Sequence, residues 1–195
     1  GWYRPVHRKS VSSQEIRALL TARKSVQQAI INLELSMRGV LRNFGLKLGH
    51  VTRIRYEARV RELVEQNEIL SASTEALLRA RAQLRAELAE LDATIADLAK
   101  QDDVCRLMMT MPGVGPIVAL TVKSAIDDPA RFARSKDVGP WAGLTPRRTQ
   151  SGEMDIVGQI TRAGDRALRT ALYQAAMILM HRGSPNWLQA WALRV

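Results

Sequence analysis

The chain has 195 residues, with 29 Lys and Arg against 19 Asp and Glu, and a formal net charge of +10. Hydrophobic residues make up 46%, aromatics 5%, and there are 12 Gly and 7 Pro; this excludes a wholly disordered chain and a collagenous or low-complexity one. No apolar run approaches the roughly 18–20 residues that span a bilayer, so no membrane partner is expected. The single cysteine, Cys105, rules out an internal disulfide and fits a reducing, cytoplasmic compartment. The start of the chain has no signal-peptide pattern: Trp2 and Tyr3 lead straight into Arg4, His7, Arg8 and Lys9. Gly1 stands where an initiating Met is expected, so the chain reads as a piece of something longer.

The charge is uneven. Residues 1–60 hold 12 basic and 3 acidic side chains, residues 61–110 hold 6 and 10, and residues 111–195 hold 11 and 6. Two basic blocks thus flank an acidic middle. Basic blocks attract polyanions, and phosphate neutralisation by Lys and Arg drives non-specific nucleic-acid binding. Solvated arginines that only confer solubility are the competing reading.

In chain order, residues 1–9 read as an extended piece in which Pro5 excludes a central strand. Ser12 or Ser13 is the candidate cap of a long amphipathic helix. Its stripe runs from Ile16 through Leu20, Ile30 and Met37 to Phe44, and it ends near Gly45 or Gly49. Residues 57–101 are helical again. Leu77, Leu84, Leu91 and Leu98 recur every seven positions, Leu88 and Ile95 fill a second seam, and Arg81 breaks it. This predicts a coiled-coil arm that pairs with another chain, or else a hairpin closing on the helix at residues 57–70. Residues 104–111 and 117–126 read as two short apolar helices around Pro112-Gly113-Val114-Gly115-Pro116. This is the layout of a helix-hairpin-helix, in which two glycines admit a phosphate to the free N–H groups of the second helix. A plain joint between two core helices is the other reading of that turn. Residues 127–150 read as loop with a short helix, residues 147–152 as an exposed polar stretch, and residues 165–181 as a last helix bordered by Arg166 and Arg169.

Ser151 is the candidate nucleophile. It precedes Gly152, and Arg147, Arg148, Arg162 and Arg169 are near it in sequence to neutralise a phosphate. Attack on a phosphodiester would give a phosphoserine ester that keeps the bond energy for religation; most Ser-Gly pairs are simply turns. The three histidines are dispersed, and one Cys makes no zinc signature. Asp102-Asp103 and Asp127-Asp128 read as caps or loop residues, so no metal ligands are assigned.

These residues resemble a known family. Pro112-Gly113-Val114-Gly115, Gly143-Leu144-Thr145-Pro146-Arg147, Gln150-Ser151-Gly152, Gly158-x-Ile160-x-Arg162-x-Gly164-Asp165 and Leu168-Arg169 follow one another as in the C-terminal domain of insertion-sequence-one-ten family transposases. Gly1-Trp2-Tyr3-Arg4-Pro5-Val6-His7 and the helix ending Phe44-Gly45-Leu46-Lys47 resemble the back of that family's RuvC-like domain. The resemblance implies a mainly α chain in three parts: a remnant of a RuvC-like α/β domain (1–50), a coiled-coil arm (51–103), and a transposase C-terminal domain with a helix-hairpin-helix (104–195). It implies a bacterial, nucleoid-associated DNA recombinase with Ser151 as catalytic nucleophile. Gly113, Val114, Gly115, Arg147, Arg148, Arg162, Arg166 and Arg169 would be its nucleic-acid contacts. DNA, a structured guide RNA, and further copies of the chain (as dimer or tetramer through the coiled coil) are the implied partners. Mg²⁺ is expected on four acidic residues of the full-length parent, and no cofactor is expected in this chain. Residues 1–50 offer only Glu15 and Glu34, so the chain alone is expected to bind without recombining. A non-catalytic DNA- or RNA-binding module and a purely helical interaction protein are the alternatives.

Overall fold

The computed structural model describes residues 6–182 and 187–194; the expected extended start at residues 1–5 lies outside them. The chain is mainly helical. The elements are α1 (Val11–Asn43), α2 (Tyr56–Val64), α3 (Glu68–Gln101), α4 (Asp103–Met109), α5 (Pro116–Ile126), α6 (Val138–Trp141), β1 (Pro146–Ser151), β2 (Met154–Ile160), α7 (Arg166–Arg182) and α8 (Trp187–Ala192). Single 3₁₀ turns at Pro129–Arg131 and Ser135–Asp137 precede α6. No described helix is long and apolar enough to cross a membrane. The chain divides into two compact units, one of Gly1–Leu20 with Ile95–Val195 and one of Thr21–Thr94.

The Thr21–Thr94 unit packs α2 and α3 against α1 around Met37, Leu41, Tyr56, Val60, Val64, Leu70 and Leu78. The buried edge of α3 here is Leu70, Thr74, Leu78 and Arg81, at spacings of four, four and three. Its partner includes α1, and not only the helix at residues 57–70 that the sequence offered for an in-chain hairpin. Leu77, Leu84, Leu88 and Leu91 of the predicted heptad lie half-buried beside that edge. Arg81, the residue that interrupts the heptad, is only 2% exposed. Its Nε donates to Glu34 Oε1 at 2.7 Å and its Nη1 to Glu57 Oε1 at 2.9 Å. Its guanidinium lies 4.4 Å from the centre of the Tyr56 ring. Arg85 Nη2 joins the same Glu34 oxygen at 2.9 Å. Burial pushes the Glu34 carboxyl up, but the hydrogen bonds from Arg81 and Arg85 outweigh it and hold the pKa below its ordinary value.

In the other unit, α4 and α5 pack with the first turns of α1 and the last turns of α3 around Ile95, Ala99, Cys105, Ala119 and Leu120. Ala171 and Ala175 set α7 close against Val118 of α5. The start of α1 is fixed by a residue 114 or more positions away. Asp127 occupies φ 65°, ψ −76°, and the amide of Asp128 donates across it to Ile126 O at 2.9 Å. This is the rare three-residue γ-turn, which L-residues adopt only under constraint. The strain is held because the Asp127 carboxylate collects four contacts at the α1 N-terminus. It accepts from the Ser10 amide (2.9 Å), the Ser10 hydroxyl (2.6 Å) and the Ser13 hydroxyl (2.6 Å), and His7 Nε2 lies at 2.7 Å. Ser10 itself caps the helix, its Oγ accepting from the Ser13 amide at 3.2 Å; the cap is therefore Ser10 and not Ser12 or Ser13, because α1 begins at Val11. Lys9 Nζ donates to Ser124 O at 2.9 Å and Ala125 O at 2.5 Å, placing a cation at the carbonyl end of α5.

Two consequences can be measured. Arg81→Ala strands Glu57 and leaves Glu34 to Arg85 alone, and is expected to lower the stability of the chain by about 2 kcal/mol in urea unfolding. The hydroxyls of Ser10 and Ser13, then the Ser10 amide and His7, hold the Asp127 carboxyl well below its ordinary 3.8. A carboxyl whose folded pKa is depressed contributes stability above its unfolded pKa and loses it as pH falls through the folded value. Asp127→Asn is therefore expected to lower the melting temperature at pH 7 and to flatten its fall below about pH 4; an unchanged acid limb would refute this.

Candidate nucleic-acid interface

The motif-rich stretch from Gly143 to Arg169 forms one interlocked structure. Gly143 has φ 72° and Gly164 has φ 75°. A Cβ on Gly143 would lie 2.0 Å from Ala163 O, and one on Gly164 2.2 Å from Trp141 O. The two backbone segments thus touch where only glycine fits. The Arg162 amide donates to Gly143 O at 3.1 Å and the Thr161 amide to Thr145 O at 2.9 Å. Arg169 Nη1 donates to Ala142 O at 3.1 Å and Ala163 O at 2.5 Å, tying both segments to α7. Asp165 caps α7, accepting from Ala167 at 2.7 Å and Leu168 at 3.2 Å, and is 2.5 Å from Arg17 Nη1.

From this knot an antiparallel hairpin, β1–β2, projects, its first strand taking up most of the exposed polar stretch expected at residues 147–152. All thirteen strand residues are exposed. Ser151 pairs with Met154 across the two-residue turn Gly152-Glu153, in which only Gly152 has positive φ (+57°); this is the type II′ pattern that suits a twisted hairpin. Ser151 is therefore the last paired residue of β1, with its hydroxyl at the exposed tip. In a strand, neighbouring side chains alternate between faces. Arg148 pairs with Val157 and Gln150 with Asp155, while Thr149 and Ser151 pair with Ile156 and Met154. Arg148 consequently stands on the face opposite Ser151. There its Nε donates to Asp155 Oδ1 at 2.8 Å, and its Nη2 bonds the other oxygen. Among the described residues no arginine is hydrogen-bonded to Ser151.

The remaining predicted contacts fall into two groups. Arg147 opposes two residues of β2, Gly158 and Gln159, in a bulge, and its Nη2 reaches Thr161 O at 3.5 Å. Arg162, Arg166 and Arg169 line an open groove of about 660 Å³ at the hairpin root, floored by Leu144, Ile160 and Leu172 and flanked by Tyr173. Ser151 lies five residues along β1 from the root pair Pro146–Ile160, about 17 Å at strand rise. Sequence proximity thus groups residues that the hairpin separates. Tyr173, which the sequence reading passed over, follows Arg166 by two helical turns and shares its face.

Gly113, Val114 and Gly115 do join α4 to α5. Gly113 has φ 85°, and a Cβ there would be 2.4 Å from Ala175 O, so this glycine serves the packing of the turn on α7. Val114 packs into the apolar clusters on both sides. Gly115 is the N-cap of α5, with open space where a Cβ would be. Asp102 caps α4, accepting from the Cys105 amide at 2.9 Å, and pairs with Lys123; Asp128 caps the first 3₁₀ turn. Burial and the Asp102 hydrogen bond push the Cys105 thiol up to about 11, which leaves it a packing residue. Among the described residues no three His, Cys, Asp or Glu side chains converge to hold a metal.

The hairpin, the knot and the α4–α5 turn lie within residues 105–192, and this segment matches the family described as transposase IS116/IS110/IS902. Over residues 105–192 the chain is thus similar to transposases of that family. The chain is 29% identical over 182 residues to the transposase for insertion sequence element IS1111A of Coxiella burnetii, covering 90% of this chain and 49% of that protein. It is 31% identical over 186 residues to a probable family 20 transposase of Pseudomonas aeruginosa, covering 89% and 52%. It is also 35% identical over 74 residues to the pilin gene-inverting protein of Moraxella bovis, covering 37% and 23%. The chain thus spans about half the length of the first two relatives. Within the family segment, the two turn glycines are separable. Gly113→Ala is expected to cost at least about 2 kcal/mol in urea unfolding, through positive φ and the clash with α7. Gly115→Ala is expected to cost no more than about 1 kcal/mol, so any loss of nucleic-acid binding there reports a contact and not unfolding.

Proposed function

We propose that this chain is the DNA-handling part of an insertion-sequence transposase, with Ser151 as the nucleophile of DNA cleavage and strand exchange. The observation that carries this reading is the Ser151 hydroxyl at the exposed tip of a hairpin inside the matched family segment. In the reaction, Oγ attacks a phosphodiester phosphorus and the Oγ–P bond forms as the bond to one deoxyribose oxygen breaks. The serine proton leaves to solvent, and the departing sugar oxygen takes up a proton. A sugar hydroxyl of the exchanged strand later attacks the same phosphorus and releases the serine. The hairpin supplies reach to a backbone phosphate. The groove arginines at its root hold the flanking strand by charge, a contact that positions without reading sequence.

The finer parts of the proposal follow the same lines. Residues 1–50 are the back of a RuvC-like domain. The turn at Gly113–Gly115 is a helix-hairpin-helix whose outward phosphate contact is at Gly115. The α3 heptad joins copies of the chain by covering Leu77, Leu84 and Leu91. DNA, or a structured guide RNA, is the polyanionic partner. The carboxylates that would hold Mg²⁺ in the full-length parent are not replaced here: of the two acidic residues before position 50, Glu34 is engaged by Arg81 and Arg85. The chain alone therefore binds nucleic acid without cutting it.

One observation favours the non-catalytic reading instead: Arg148 is neutralised by Asp155, on the face away from Ser151. The test separates the two. The chain is assayed alone and fused behind the N-terminal half of the Coxiella burnetii relative, with labelled DNA carrying element ends. A covalent protein–DNA adduct on denaturing gels is expected for the fusion only, and its loss in Ser151→Ala. An adduct that survives Ser151→Ala overturns Ser151 as the nucleophile, and salt-sensitive binding with no adduct in either form assigns the non-catalytic module.

A further inference from the structure

The groove at the hairpin root has a shape and lining that a phosphate-backbone contact does not need. It is a shallow, open concavity of about 660 Å³. Its floor is apolar: Leu144, Ile160 and Leu172. Around the floor stand Arg162, Arg166 and Arg169, and at its edge Tyr173 is 66% exposed. Arg169 is engaged with the carbonyls of Ala142 and Ala163. The guanidinium groups of Arg162 and Arg166 have no ion-pair or hydrogen-bond partner among the described residues. Arg166, Thr170 and Tyr173 follow one another at helical spacing along α7, so cations and an aromatic ring line one wall.

We propose that this groove receives an unpaired nucleotide, its base against Tyr173 and the apolar floor and its phosphates on Arg162 and Arg166. The inference rests on the nucleic-acid reading of the chain and adds to it a strand state and a recognition residue. A double helix keeps its bases stacked inside and meets proteins through convex elements laid in its grooves. A recess cannot enter such a groove, but it can accept a base that is already unstacked. An exposed aromatic ring beside guanidinium groups is the lining that binds single strands with little regard to sequence, because every base has a π-face. Free phosphate alone would have no use for the apolar floor. A DNA strand opened for exchange and a loop of RNA are the two sources of such a nucleotide, and they share this chemistry.

The experiment measures binding of the full chain to four fluorescent probes by anisotropy at physiological salt: a mixed-sequence single-stranded DNA, the matching single-stranded RNA, the blunt DNA duplex, and that duplex with one bulged nucleotide. Parent, Tyr173→Ala and Tyr173→Phe are compared, with far-ultraviolet circular dichroism confirming the fold. Tyr173→Ala is expected to weaken binding of at least one single strand and of the bulged duplex about tenfold or more. Tyr173→Phe is expected to stay within about twofold, and the blunt duplex to be unaffected by either. The single strand with the larger loss identifies DNA or RNA as the source. The proposal is overturned if Tyr173→Ala binds single strands as the parent does, if it weakens the blunt duplex equally, or if Tyr173→Phe loses as much as Tyr173→Ala. Failure of the underlying reading looks different: the parent then binds none of the four probes, which overturns both.

Discussion

The contact between Gly143 and Gly164 is the constraint from which the rest of the candidate site hangs. Two loop segments, about twenty residues apart, meet backbone to backbone with no room for a side chain on either. Arg169 closes the contact from α7 by bridging one carbonyl on each segment. The hairpin has no burial of its own, and a two-stranded ribbon in water is marginal at best. Its direction is therefore set at its root. The same contact forms the floor and rim of the groove, since Leu144 and Arg162 each adjoin one of the touching backbones. The position of Ser151 and the shape of the groove are set by one piece of packing.

The arginines divide according to what surrounds them. Arg169 is part of the knot, Arg148 is matched by Asp155, and Arg81 is buried with two glutamates and a tyrosine ring. Arg162 and Arg166 are left to face solvent. A net charge of +10 therefore overstates the positive surface on offer near the hairpin. Arg162 and Arg166, without ion-pair partners among the described residues, border an apolar recess, and that pairing of surfaces suits a nucleotide better than a bare phosphate.

The helices were legible in the sequence because burial on one side imposes a 3.6-residue period. The stripe from Ile16 to Phe44, the two apolar helices around Pro112–Pro116 and the last helix all lie within a few residues of α1, α4, α5 and α7. The hairpin was not legible. Pro146-Arg-Arg-Thr-Gln-Ser151 buries neither face, so there is no alternation for a period of two to reveal. The hub at Asp127 was invisible for another reason: its partners are 114 to 120 positions away, and nothing local signals them. In the site, an accessible Ser151 beside a glycine turn was readable. The separation of Arg148 from Ser151 was not, since it depends on strand register. Tyr173 escaped because helical periodicity sorts large apolar residues into cores, and this one stands outside.

The bulge opposite Arg147 has a consequence for how this arm can change. Paired strands normally couple length to orientation, so that one inserted residue turns every later side chain over. Here the ribbon is interrupted between its base and its end. Two residues added to each strand beyond the bulge would lengthen the arm without turning Ser151 to the other face. A single residue gained or lost beside Gly158 would be absorbed by the irregularity already present. The distance of Ser151 from the anchored base and the face it occupies are therefore adjustable separately.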